Sequence, residues 1–152
     1  METLLPVKHM IFNIPNRFSK IANIVPLCDL RPNEKIMFEH ACKLILIQLD
    51  SEAFIVPNIP TNIFFVDSDD ITIRFSPEQM GACFTGIYYP VHKWREANYT
   101  DQQIITCMTE EMCHVFWCIR DEDQVNFKVL DVLQKGHPEL NLESLYPYTR
   151  NR

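Results

Sequence analysis

Apolar residues recur at helical spacing through Ile36, Met37, Ala41, Leu44, Ile45 and Leu49. That period predicts a mostly buried amphipathic helix over residues 34–50. Asn33, after Pro32, reads as its N-cap, and Glu34 places an anion in its first turn. His40 and Cys42 fall on this helix and read as packing or surface residues. A better-marked start lies at Thr100. Thr100 and Gln103 make a T-x-x-Q capping box, and Tyr99 and Ile104 hold the two positions of a hydrophobic staple. A helix is expected from Asp101 to about Ile119, with Ile104, Met108, Met112, Val115 and Ile119 as its apolar stripe. A second starts near Asp121 or Asp123 and stops near Lys135, before Gly136 and Pro138. The same pattern also fits one bent helix.

Shorter runs carry the strand signal. Asn62 to Val66 (NIFFV) is continuous and apolar, and Asp67, Ser68 and Asp69 make a turn. Asp70 to Phe75 alternates Ile71, Ile73 and Phe75 with Thr72 and Arg74, the pattern of a half-buried strand. Cys83 to Tyr89 is a third β-prone stretch, with Gly86 as a candidate bulge and Pro90 as a stop. Before residue 30, prolines interrupt the apolar runs. Residues 10–14 (MIFNI) read as a strand and Asn16 to Ile24 as a short helix. The aromatic residues Tyr88, Tyr89 and Trp94 read as core packing and an edge strand, or as a cleft that takes a peptide by strand addition.

Composition narrows the class. With 152 residues, 47% of them hydrophobic and 22% charged, the chain has the size and balance of one domain. The expected layout is an N-terminal extension over 1–30, a core over 31–136 and a loosely packed tail over 137–152. A net charge of −6 argues against a nucleic-acid partner and against docking on an anionic membrane. Six cysteines without a C-x-x-C pair, and no basic start before an apolar stretch, read as reduced thiols in a cytoplasmic protein.

The candidate chemistry sits on the 101–119 helix. At about 100° per residue, Cys107, Glu111, His114 and Cys118 fall in one row beside the apolar stripe. Asp121 and Glu122 extend that row if the helix continues. Residues three and four apart are neighbours, so an acid, an imidazole and two nearby thiols converge. A partly buried Glu beside a His needs a partner, a metal or a shifted pKa. The bland alternative is a Glu111–His114 hydrogen-bonded pair. Two other chemistries compete: half of a dinuclear carboxylate site and a Cys/His nucleophile. The first needs two E-x-x-H motifs, and the chain has one. The second is poorly served by Cys113, which points about 100° from His114 on the helix. Cys118 is four residues away but close to a helix C-terminus, where thiolates are not favoured.

The string Glu110-Glu111-Met112-Cys113-His114 resembles the zincin metallopeptidase helix, HExxH. The order of the flanking segments is also similar to that of matrixin-like metzincins: helix 34–50, the D-I-x-I-x-F run at 70–75, the glycine-containing strand 81–89, then helix 101–119. This resemblance implies a metal-dependent peptidase fold with zinc or another divalent ion and a protein or peptide substrate. On it, His114 is a metal ligand and Glu111 the general base. Glu110 takes the place of the first ligand. The metzincin Gly and third His are replaced by Trp117 and Arg120, so a third ligand falls to Asp121, Glu122 or Asp123.

The expected fold is therefore α+β and zincin-like. It has a small mixed or antiparallel sheet, a packed N-terminal helix and a C-terminal helix of the active-site type. The rival function is a non-catalytic protein-interaction domain on the same fold.

Overall fold

The structure is a computed structural model that describes residues 10–53, 56, 59–72, 75–81 and 86–147. It is an α+β fold. A 3-10 helix, Asn16–Lys20, leads into strand β1 (Ala22–Pro26), helix α1 (Pro32–Ser51), and strands β2 (Thr61–Val66) and β3 (Gly86–Pro90). Helices α2 (Val91–Glu96), α3 (Asp101–Phe116), α4 (Glu122–Leu133) and α5 (Leu142–Leu145) complete it. Among the described residues no helix is long and apolar enough to cross a membrane.

The sheet corrects the expectation of antiparallel or mixed pairing. Its order is β1-β2-β3, and both pairs are parallel. The cause is the connection: parallel neighbours need a crossover, and α1 supplies it between β1 and β2. The unbroken apolar run of β2 suits a strand flanked on both sides. Strand β1 comes from the segment expected as an extension, where a helix was expected up to Ile24. Only Asn16–Lys20 coils, as a 3-10 turn, and Ile24 and Val25 extend beside Ile63 and Phe64. Residues 10–14 form no strand. Nor do Asp70, Ile71, Thr72 and Phe75, and Ile71 and Phe75 are exposed. Ile73, Arg74 and Cys83 lie outside the described residues.

Alternate side chains of the sheet point into the core. Ile63, Phe65, Ile87 and Tyr89 are buried, as is Phe38 of α1. Phe38 meets Phe65 edge-on at 4.8 Å between ring centres, and Phe65 lies 5.4 Å from Tyr89. Burying each such ring is worth roughly 1.5–3 kcal/mol. The Tyr89 hydroxyl donates to the Met108 carbonyl, which fixes α3 against β3. Met108 and Met112 of α3 fill the space between α1, the sheet and α4, together with Val125 and Val129.

Helix starts follow local chemistry. α1 begins one residue before the expected N-cap, because Pro32 occupies the first helical position. Arg31 is the N-cap, and its N–H donates to the Glu34 carboxylate at 2.7 Å. Asn33 instead donates to Asp101 at 3.0 Å. Glu34 is 1% exposed and receives both Nε and Nη2 of Arg95, each at 2.8 Å. This buried fork ties the start of α1 to α2. The Thr100–Gln103 capping box forms as expected.

α3 ends at Phe116, three residues short of Ile119. Trp117 caps it and Cys118 takes a positive φ of 52°. That left-handed residue turns the chain, so α3 and α4 are two helices and not one bent one. Asp121 then caps α4 by accepting from the Gln124 N–H at 2.8 Å. The expectation of a loose tail is corrected as far as Pro147. Leu145 is buried and Tyr146 packs against the core.

Candidate metal centre

α3 presents Glu110 and His114 one turn apart, and the reversal at Cys118 brings back Glu122 at the start of α4. One ligand atom from each of Glu110, His114 and Glu122 lies within 4.8 Å of the others. This group can hold a metal ion. His114 Nε2 is 3.8 Å from Glu122 Oε1. Ligands about 2.1 Å from a tetrahedral ion stand about 3.4 Å apart, so a small rotation of the exposed Glu122 closes the gap.

Two further contacts orient the donors. His114 Nδ1 is 2.6 Å from the Ile119 carbonyl oxygen. A carbonyl only accepts, so Nδ1 carries the proton, and in the neutral ring Nε2 keeps its lone pair for the group. Ligating histidines are held in this way by a second partner. Glu110 accepts from the Tyr146 hydroxyl at 3.1 Å. Its carboxyl is pushed above the ordinary range, chiefly by burial, then by Glu111 and Glu122. The Tyr146 bond and His114 oppose that rise. A bound cation would relieve both the burial cost and the repulsion. The donor set of two carboxylates and one imidazole suits zinc, manganese or iron.

The predicted site residues divide. His114, Glu110 and Glu122 come together. Glu111 is exposed and outside the group, and His114 bonds Ile119 instead of pairing with it. The reason is angular: the partner of His114 on the inner side of α3 is four residues back, not three. Asp121 is committed as a helix cap, and Asp123 is exposed in the first turn of α4. Cys107 is half-buried, and burial pushes its thiol up to about 11. Cys118 is exposed beyond the end of α3, so it does not continue the row. All five described cysteines are free. Tyr146 and the Ile119 carbonyl were not predicted. The apolar-aromatic pair Leu145-Tyr146, near a capped turn at Asn141, was the available signal that the tail docks.

A cleft of about 450 Å³ opens between α3 and α5 beside the group. Gln103, Cys107, Glu110 and Tyr146 are among its walls, so Glu110 faces both the cleft and His114. The aromatic strand residues take separate roles. Tyr89 and Trp94 are core, whereas Tyr88 is exposed and stacks on Phe64 at 5.1 Å. Comparison with known proteins gave no matching family, curated protein or solved structure.

Proposed function

We propose that the chain is a zincin-like, metal-dependent hydrolase domain of the peptidase type. Its ion, zinc or a similar divalent metal, is held by Glu110, His114 and Glu122. The observation that carries this reading is the convergence of those three donors, with His114 Nε2 freed by the Nδ1–Ile119 contact. Three protein ligands leave a coordination position open. When bound, the ion supplies Lewis-acid polarisation of a carbonyl or a water. The residues of the chain do the rest. Ile119 and Tyr146 orient the ligands, and the cleft beside Glu110 has room for part of a peptide. Glu111, next to a ligand and open to solvent, is the residue the family resemblance assigns to proton transfer.

The test is metal content after dialysis, with peptide hydrolysis assayed alongside. The wild-type chain retains about one divalent ion. His114→Ala and Glu122→Gln lose it, and Glu111→Gln keeps it but no longer turns over. A wild-type chain that takes up no zinc at equimolar concentration ends the proposal. The exposure of Glu111 favours a second reading, a non-catalytic interaction domain that binds a protein partner and uses the ion as a staple. That reading predicts retained metal, no hydrolysis, and a Glu111→Gln variant indistinguishable from wild type.

A further inference from the structure

Between α1 and the segment after α4, two imidazoles meet across 97 residues of chain. His40 Nε2 lies 2.9 Å from His137 Nε2, with the ring planes at 87°. We propose that His40 and His137 form a second metal site, independent of the His114 centre, for divalent transition ions that prefer imidazole. Two nitrogens 2.9 Å apart subtend roughly 90° at an ion about 2.05 Å from each. That is the cis angle of square-planar or octahedral Cu²⁺ and Ni²⁺ sites, with water filling the other positions. Magnesium and calcium, which prefer oxygen ligands, do not fit.

The surroundings favour an ion over a bare contact. Gly136 makes the approach: a Cβ there would stand 3.0 Å from a Leu44 methyl and 3.4 Å from the His40 ring. Glu139 Oε1 lies 3.7 Å from His137 Nδ1, so a small rotation of this exposed side chain would bring it to the distance at which a carboxylate orients a ligating histidine. Without an ion, one Nε2 donates to the other, and the tautomers of the two rings decide which. Binding asks that both rings carry their proton on Nδ1, so that each Nε2 offers a lone pair.

The test uses the full chain carrying His114→Ala, stripped with chelator and titrated with Ni²⁺ at pH 7.5. Calorimetry is expected to find one site. His40→Gln or His137→Gln, each added to the same chain, weakens it at least tenfold. Proton spectra of the unsubstituted chain provide a check that needs no variant. Substoichiometric Ni²⁺ broadens the His40 and His137 ring signals together, apart from the effect at His114. Ni²⁺ affinity unchanged by both substitutions, or broadening confined to His9, His92 or His114, overturns the site. A chain with His114 intact that takes up no zinc at that centre, while Ni²⁺ still binds at His40 and His137, leaves this proposal standing and removes the other.

Discussion

Glu52, just past the C-terminus of α1, is the junction of three helices. Its Oε1 accepts from Gln48 Nε2 at 2.7 Å and from Lys128 Nζ of α4 at 2.8 Å. Its Oε2 accepts from the indole N–H of Trp117, at the end of α3. Lys128 also lies over the Trp117 ring, 5.1 Å from its centre. Burial alone would raise the Glu52 pKa, but hydrogen bonds from Lys128, Trp117 and Gln48 outweigh it and bring the carboxyl from 4.5 to about 2. Taken at about 1.4 kcal/mol per unit, that fall is worth roughly 3 kcal/mol. The side chain is 32% exposed, so solvent screening reduces the figure to about 1–2 kcal/mol. A depressed carboxylate stabilises the fold fully above its unfolded pKa. The contribution is lost as pH falls from 4.5 through about 2. Glu52→Gln keeps the shape and removes the charge. At pH 7 the variant is expected to be less stable by about 1–2 kcal/mol, or roughly 2–8 °C in Tm for a chain of this size. Urea titrations followed by Trp117 fluorescence, repeated from pH 7 to pH 3, measure the gap. It should narrow below pH 4.5. A gap that stays constant across that range, or none at pH 7, refutes the linkage argument.

Removing the Tyr89 hydroxyl by Tyr89→Phe takes a buried donor from the Met108 carbonyl and should cost about 0.5–1.5 kcal/mol in urea denaturation. Thr100→Ala removes the N-cap of α3 and should cost about 1 kcal/mol, readable as a lower Tm. Met108→Ala, at a fully buried position, should cost about 2–5 kcal/mol through the cavity it leaves. Burial raises the Glu110 carboxyl above its usual range, so protons would compete with a metal at the proposed centre. Zinc affinity should therefore fall as pH drops through and just above the carboxylate range; a pH-independent affinity would remove Glu110 from the ligand set. Burial lifts Cys28 and Cys107 to about 11 and leaves Cys118 exposed, so Cys118→Ser should abolish a fast phase of thiol labelling at pH 8.

What was legible in the chain was short-range. The Thr100–Gln103 box acts within one turn, and α3 starts where it says. The apolar period of α1 is likewise local, and only its cap shifted, because a proline preset the first turn. Sheet direction was not legible, because it depends on which strands meet across a crossover. β1 was missed for the same reason: five residues ending in Pro26 become a strand only when β2 lies alongside. The alternation at 70–75 has no partner strand among the described residues, and its Ile71 and Phe75 stay in solvent. A period-2 pattern is necessary for a half-buried strand but does not recruit a neighbour.

The site was half legible for a geometric reason. A wheel drawn through residue 119 assumes one unbroken helix, and on it Glu111 and Cys118 stand with His114. The left-handed backbone at Cys118 ends that assumption, with no glycine or proline to announce it. Once the chain turns there, the third donor is found on a separate helix, where the Asp121 cap fixes Glu122 in its first turn. The cap and the proposed ligand would thus have distinct tasks, although both are acids adjacent in sequence. Asp121→Asn keeps a competent cap and should leave metal binding intact. Glu122→Gln leaves the cap untouched and should lose the ion. Equal loss from the two substitutions would mean that the turn itself, and not the Glu122 carboxylate, holds the centre together.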